Sequence, residues 1–156
     1  MTKAIIFDFS RVLLFPRDKT YKGSLNELHK NYINKPDYKV FDLFELNIEL
    51  LTFLDKIMHK AKLYILTTDI IQDSPEFEKY LKPKFQKIFS ASKMTLSKKE
   101  SKIYHEIANS LGLNPENVLI IDDSIDNLKA AREAGMEIIQ FKSNNILFHQ
   151  LNQILT

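Results

Sequence analysis

Ala4-Ile5-Ile6-Phe7-Asp8-Phe9-Ser10 is a short apolar run that stops at a carboxylate, and Val118-Leu119-Ile120-Ile121-Asp122-Asp123-Ser124 repeats the pattern late in the chain. Runs this rich in β-branched and aromatic residues, without polar alternation, read as strands of a parallel sheet buried on both faces. In open α/β sheets, ligands bind in the crevice outside the carboxyl ends of the strands. If the two strands are neighbours, Asp8, Asp122 and Asp123 converge there. Three carboxylates repel one another unless a divalent cation stands between them, and oxygen ligands favour Mg²⁺. The pattern points to metal-assisted chemistry on an anionic substrate.

Outward from these two runs, strand-like and helix-like segments alternate, as a layered parallel α/β protein requires. Gly23-Ser24 starts a short helix with Leu25, Leu28, Tyr32 and Ile33 on one face, stopped by Asn34-Lys35-Pro36-Asp37. Asn47 caps an amphipathic helix whose apolar positions are Ile48, Leu51, Leu54, Ile57 and Met58. Leu63–Leu66 is a strand ending at Thr67-Thr68-Asp69, Ser74-Pro75-Glu76 starts a helix, and Ile88–Ala91 is a weaker strand. Ile103, Ile107 and Leu111 form a helical stripe closing at Gly112. A helix after Asp123 closes at Gly135, Glu137–Phe141 is the last strand, and Ile146–Ile154 the last helix.

The chain of 156 residues is one domain by length, and its 44% hydrophobic and 27% charged residues are those of an ordinary globular protein. With no cysteine, disulfides, thiolate chemistry and Cys-based metal sites are excluded. Ala4–Phe7 is too short for a signal peptide and no apolar stretch reaches membrane-spanning length, so a cytoplasmic protein without a membrane partner is expected. From Lys79 to Lys102 there are eight lysines against the single acid Glu100. That stretch is expected to be a solvated face that concentrates phosphorylated ligands, not a nucleic-acid patch. His29, His59, His105 and His149 have no metal-ligand spacing and are expected at the surface or its boundary.

Four motifs in order resemble the haloacid dehalogenase superfamily: Phe7-Asp8-x-x-x-Val12-Leu13, Ile65-Leu66-Thr67-Thr68-Asp69, Lys98-x-x-x-x-Ile103-Tyr104 and Ile121-Asp122-Asp123-Ser124-x-x-Asn127. The stretch from Lys98 to Met136 is closest to the phosphatase-like branch. The resemblance covers nearly the whole chain. It implies a Rossmann-like three-layer α/β fold with a central parallel sheet, one domain over residues 1–156, and a reduced helical cap inserted at residues 15–46.

The resemblance also implies roles. Asp8 matches the nucleophile that forms an aspartyl-phosphate, so that one difficult displacement becomes two easier ones. Thr67 matches the group that hydrogen-bonds the transferring phosphoryl group, with the Thr68 backbone N–H beside it. Lys98, counted back from Tyr104, matches the lysine that neutralises phosphoryl oxygens and nucleophile, and Lys99 is the neighbour it must be told from. Asn127 stands where a supporting Asp or Asn occurs. Mg²⁺ would be held by Asp8, the Ser10 carbonyl, Asp123 and Asp122. Ser124 and Asp126 are expected to cap the helix that follows.

Two departures bear on activity. The residue two beyond the nucleophile is usually an aspartate in phosphatases of this family, and here it is Ser10, a poor general acid or base. A slow enzyme restricted to easily lost leaving groups, a lingering aspartyl-phosphate, or a site without turnover would each follow. The short insertion implies a more open crevice. The leading expectation is a Mg²⁺-dependent phosphatase acting on a phosphorylated small molecule or phosphoprotein. The alternative is a catalytically weak or inactive relative that binds a phosphorylated ligand or protein and regulates. Dehalogenation is disfavoured, because dehalogenating relatives need no metal site.

Overall fold

The computed structural model describes residues 1–156. Its strands are β1 (Ala4–Asp8), β2 (Leu14–Pro16), β3 (Phe44–Leu46), β4 (Lys62–Thr67), β5 (Lys87–Ser90), β6 (Val118–Asp122) and β7 (Glu137–Gln140). Its helices are α1 (Leu25–Tyr32), α2 (Val40–Leu43), α3 (Ile48–Leu54), α4 (Glu78–Leu81), α5 (Ala91–Met94), α6 (Ser101–Leu111), α7 (Ile125–Glu133) and α8 (Asn144–Ile154). Five strands form one parallel sheet in the order β5-β4-β1-β6-β7. The expected Rossmann-like α/β architecture is therefore present. β1 lies between β4 and β6, with Phe7 in register with Ile65 on one side and Ile121 on the other. All five residues of β1 and of β6 are buried, which explains the unbroken apolar runs.

Strand alternation sends neighbouring side chains to opposite cores. Ile5, Phe7, Leu63, Ile65, Leu119 and Ile121 face a core completed by Leu50, Leu54, Leu147 and Leu151 from α3 and α8. Ala4, Ile6, Tyr64, Leu66, Val118 and Ile120 face a second core completed by Ile103, Ile107, Leu128 and Ala131 from α6 and α7. Helix ends fall where capping chemistry puts them. Asn47 accepts from the Leu50 N–H, Ser124 from the Asn127 N–H, and Gly112 ends α6 at φ 65°. No helix is long and apolar enough to cross a membrane.

β2 and β3 pair antiparallel, Leu14 with Leu46 and Pro16 with Phe44, and the chain between them carries α1 and α2. Two helix faces differ from the sequence expectation. In α1 the buried positions are Leu25 and His29, whereas Ile33 is 44% exposed. His29 follows Leu25 by one helical turn and takes the inward place, its Nδ1 3.0 Å from the Tyr38 hydroxyl. This corrects the expectation of a histidine at the surface or its boundary. In α3 the buried residues are Leu50, Leu51, Phe53 and Leu54, while Ile48 and Met58 point outwards. That helix ends at Leu54, so Ile57, which is buried, and Met58 lie beyond it.

Because Leu151 is fully buried between α8 and the sheet, Leu151→Ala should lower the unfolding free energy by about 3 kcal/mol in urea denaturation. A loss below about 1 kcal/mol would contradict this packing.

Candidate active site

Three neighbouring strands end together. β1 ends at Asp8, β4 at Thr67 and β6 at Asp122, with Asp123 following. Carboxylate oxygens of Asp8, Asp122 and Asp123 lie within 4.8 Å of one another. Lys98 reaches into this cluster from the segment before α6. Its Nζ is 2.7 Å from Asp8 Oδ1, 2.9 Å from Asp122 Oδ2 and 3.3 Å from the Leu66 carbonyl. The structure thus brings Lys98 to the carboxylates and leaves Lys99 exposed. Lys98 is held in turn by Tyr104, whose buried hydroxyl donates to the Lys98 carbonyl at 2.7 Å.

One ammonium against three carboxylates leaves surplus negative charge in a place water barely reaches. Asp8 is 8% exposed, Lys98 5% and Asp122 1%. Burial raises the Asp8 pKa, the Lys98 ammonium lowers it, and the Asp122 and Asp123 charges raise it again, leaving it at about 8. Burial and the charge of Asp122 also push Asp123 up. Burial alone would lower Lys98, but Asp8 and Asp122 outweigh it and hold the ammonium above its ordinary pKa. Hard oxygen donors with uncompensated charge suit a hard divalent cation.

Asp122 is the most tightly fixed of the three. Besides Lys98 it accepts from the Ser124 N–H at 2.8 Å and from Asn127 Nδ2 at 3.1 Å. Asn127 therefore acts within the structure by orienting a carboxylate. Ser124 caps α7, as expected from the sequence, and Asp126 is exposed. Asp8 Oδ1 also accepts from the Phe9 N–H at 2.8 Å. Ser10 sits on the tight turn after β1, where the Phe9 carbonyl accepts from Leu13 and Leu14 and Arg11 adopts φ 63°. The Ser10 hydroxyl is buried with no hydrogen-bond partner.

Across the crevice, the Thr67 hydroxyl donates to Gln72 Oε1 at 3.1 Å, and Gln72 Nε2 donates to the Asp69 carbonyl at 2.6 Å. Gln72 is 4% exposed and closes the loop after β4 on itself. Thr68 is exposed at the start of that loop. Sequence reading passed over Gln72 and the hydroxyl of Tyr104. A glutamine in a loop carries no signal of burial, and Tyr104 serves in the sequence reading only as the motif position from which Lys98 is counted.

The insertion is tied to the loops after β1 and β4. Phe41 in the insertion packs edge-on against Phe77, which packs edge-on against Phe9. Arg11 Nη2 donates to the carbonyls of Gly23, at 2.8 Å, and Tyr21, at 3.2 Å, and Lys30 is ion-paired with Asp69. These contacts join Tyr21, Gly23, Lys30 and Phe41 to residues that follow β1 and β4. A surface hollow of about 670 Å³ lined by Phe41, Pro75, Glu76, Lys79 and Lys82 includes none of the site residues. The lysine-rich stretch is not one free patch either. Lys82, Lys84 and Lys93 pair with Glu78, Asp55 and Asp73, while Lys79 and Lys87 lie over the rings of Tyr80 and Phe89.

The family model described as "Haloacid dehalogenase-like hydrolase" matches residues 15–141. Among curated proteins, Enolase-phosphatase E1 of Aquifex aeolicus is 50% identical over 44 residues, 28% of this chain and 20% of that protein. Enolase-phosphatase E1 of Persephonella marina is 46% identical over 46 residues, 30% of this chain and 20% of that protein. The match thus spans about a fifth of the length of these curated relatives. Among solved structures, a haloacid dehalogenase family enzyme of Bacteroides thetaiotaomicron, in a magnesium complex, has a TM-score of 0.71 at 17% identity, covering 96% of this chain and 98% of that one. A haloacid dehalogenase superfamily hydrolase of Geobacter sulfurreducens has a TM-score of 0.68 at 15% identity, covering 92% and 88%. These structures share the fold.

Tyr104→Phe removes the hydrogen bond that holds the Lys98 carbonyl and leaves that acceptor without its partner. It should cost about 1–2 kcal/mol in denaturant unfolding. No measurable loss would mean the hydroxyl does not anchor Lys98.

Proposed function

Since the chain belongs to the haloacid dehalogenase-like hydrolases, we propose that it is a Mg²⁺-dependent phosphatase that passes a phosphoryl group through Asp8. The observation that carries this reading is the buried Lys98 ammonium, 2.7 Å from Asp8 and 2.9 Å from Asp122, in a cluster of three carboxylates. In this reading Asp8, Asp122, Asp123 and the Ser10 carbonyl hold Mg²⁺. When bound, the cation neutralises the carboxylates and polarises a phosphoryl oxygen.

The chain's own residues do the rest. Asp8, held by Lys98 and the Phe9 N–H, presents one carboxylate oxygen to phosphorus. Lys98 spreads its charge over nucleophile and phosphoryl oxygens, which favours a transition state that gathers negative charge. Thr67 and the Thr68 N–H offer donors on the opposite side, and the Thr67 proton must turn from Gln72 to do so. Asn127 keeps Asp122 in place. The insertion over residues 15–46 acts as a reduced cap, and the phosphorylated substrate enters beneath it. Ser10 favours a second reading, a protein that binds a phosphorylated ligand or protein with little turnover and acts as a regulator.

Release of nitrophenol from p-nitrophenyl phosphate separates the two. The phosphatase reading expects release that requires Mg²⁺ and falls by at least about a thousandfold in Asp8→Asn, the scale of losing a covalent route. Absence of release from the wild type with Mg²⁺ would favour the binding protein.

Cation binding should also depend on pH. Below about 8 Asp8 holds a proton that Mg²⁺ must displace. The Mg²⁺-induced rise in melting temperature should therefore grow as pH approaches 8 and level off above it. Without cation the sign reverses. Asp8 ionises near 3.8 when unfolded and near 8 when folded, so the metal-free protein loses stability as pH rises between these values. A Mg²⁺-induced shift that is flat over this range would contradict the cation sitting on Asp8.

A further inference from the structure

Breaking a phosphate ester leaves an oxyanion. The oxygen of an alkyl ester needs a proton as the bond breaks, whereas that of an acyl phosphate, an aryl phosphate or a phosphoanhydride departs as a stable anion. Resting on the phosphatase reading, the question is which group near Asp8 has a proton to give. Ser10 offers a hydroxyl that is buried, unpartnered and too weak an acid. The ammonium of Lys98 has three protons and faces three acceptors, Asp8, Asp122 and the Leu66 carbonyl. Asp122 is 1% exposed and is occupied by Lys98, the Ser124 N–H and Asn127. Asp123 belongs to the carboxylate cluster.

No imidazole fills the gap. His29 is turned to Tyr38 inside the insertion. His59, His105 and His149 are exposed, after α3 and on α6 and α8. Thr67 points its proton at Gln72. With Asp122 and Asp123 taken as cation ligands, none of these side chains is left to protonate the leaving group or to deprotonate water.

We propose that the substrates are phosphate compounds with a weakly basic leaving oxygen (acyl phosphates, aryl phosphates or phosphoanhydrides), and that aspartyl-phosphate on Asp8 accumulates during turnover. In the first step an Asp8 oxygen forms a bond to phosphorus. The bond from phosphorus to the leaving oxygen breaks, and the electron pair departs with that oxygen as an unprotonated anion. In the second step a water oxygen bonds to phosphorus and the Asp8–phosphorus bond breaks, returning its pair to the Asp8 carboxylate. The water's proton goes to a phosphoryl oxygen and on to solvent. Without a base, this second step is the slower one. The missing group is worth about a hundred- to ten-thousandfold in each step that needs it.

The test is pre-steady-state and steady-state kinetics with Mg²⁺ on p-nitrophenyl phosphate, acetyl phosphate and glycerol phosphate, comparing wild type with Ser10→Asp. The wild type should release a burst of one nitrophenolate per Asp8. It should then turn over p-nitrophenyl phosphate and acetyl phosphate with the same kcat, because both share the second step. Its kcat/KM for glycerol phosphate should be lower by at least about a hundredfold. Ser10→Asp should remove the burst and raise kcat/KM for glycerol phosphate by a larger factor than for p-nitrophenyl phosphate. A wild type with no burst, or with kcat/KM for glycerol phosphate within about tenfold of the aryl ester, overturns the proposal, as does an equal gain for both esters in Ser10→Asp. The wild-type measurements decide even if Ser10→Asp does not fold. Failure of the phosphatase reading looks different: all three compounds stay inert, or Asp8→Asn keeps the activity, and the proposal falls with it.

Discussion

The buried contact of Lys98 with Asp8 and Asp122 is the constraint on which the site depends. It joins the ends of β1 and β6, and its third contact, to the Leu66 carbonyl, adds β4. Removing these charges from water costs several kcal/mol per ion, and mutual attraction repays that only when every donor and acceptor is matched. The matching is visible: Tyr104 holds the Lys98 backbone, Asn127 and the Ser124 N–H hold Asp122, and the Phe9 N–H holds Asp8. What stays unmatched is charge. Three carboxylates share one ammonium, so the folded protein keeps a demand for positive charge at the strand ends. Hard oxygen donors with that demand suit a divalent cation.

Sheet topology explains why the demand arises there. Placing β1 between β4 and β6 puts the loops after these three strands side by side. Each strand end carries its own group: a carboxylate at β1, a hydroxyl at β4 and a carboxylate pair at β6 and just after it. The loop after β4 is stiffened by Gln72, by Ser90 donating to the Asp69 carbonyl and by Lys30 pairing with Asp69. The same Lys30–Asp69 pair ties the insertion to the sheet. The loop that follows Thr67 thus also contacts the insertion.

Much of this was legible in the residues themselves. Strands buried on both faces announce themselves by unbroken apolar runs, and Asn47, Ser124 and Gly112 mark helix ends because backbone groups there need partners or a positive φ. The convergence of Asp8, Asp122 and Asp123 follows from two such strands being neighbours. Burial of polar side chains was not legible. His29, Gln72 and the hydroxyl of Tyr104 are inside because tertiary partners satisfy them, and composition carries no trace of those partners. The partners of the lysine-rich stretch were not legible for the same reason. Three of its lysines pair with Asp55, Asp73 and Glu78, of which Asp55 lies far away in sequence.

The claim that Asp8 is the phosphoryl acceptor is the one on which the functional account turns. Its most direct test is to mix the protein with acetyl phosphate and Mg²⁺, quench in acid and locate the phosphoryl group by peptide mass spectrometry. The account predicts one phosphoryl group on the tryptic peptide Ala4–Arg11, removed by hydroxylamine as an acyl phosphate is. A label that resists hydroxylamine would put the phosphoryl group on the Ser10 hydroxyl instead. That result, a label on another peptide, or none, would contradict it.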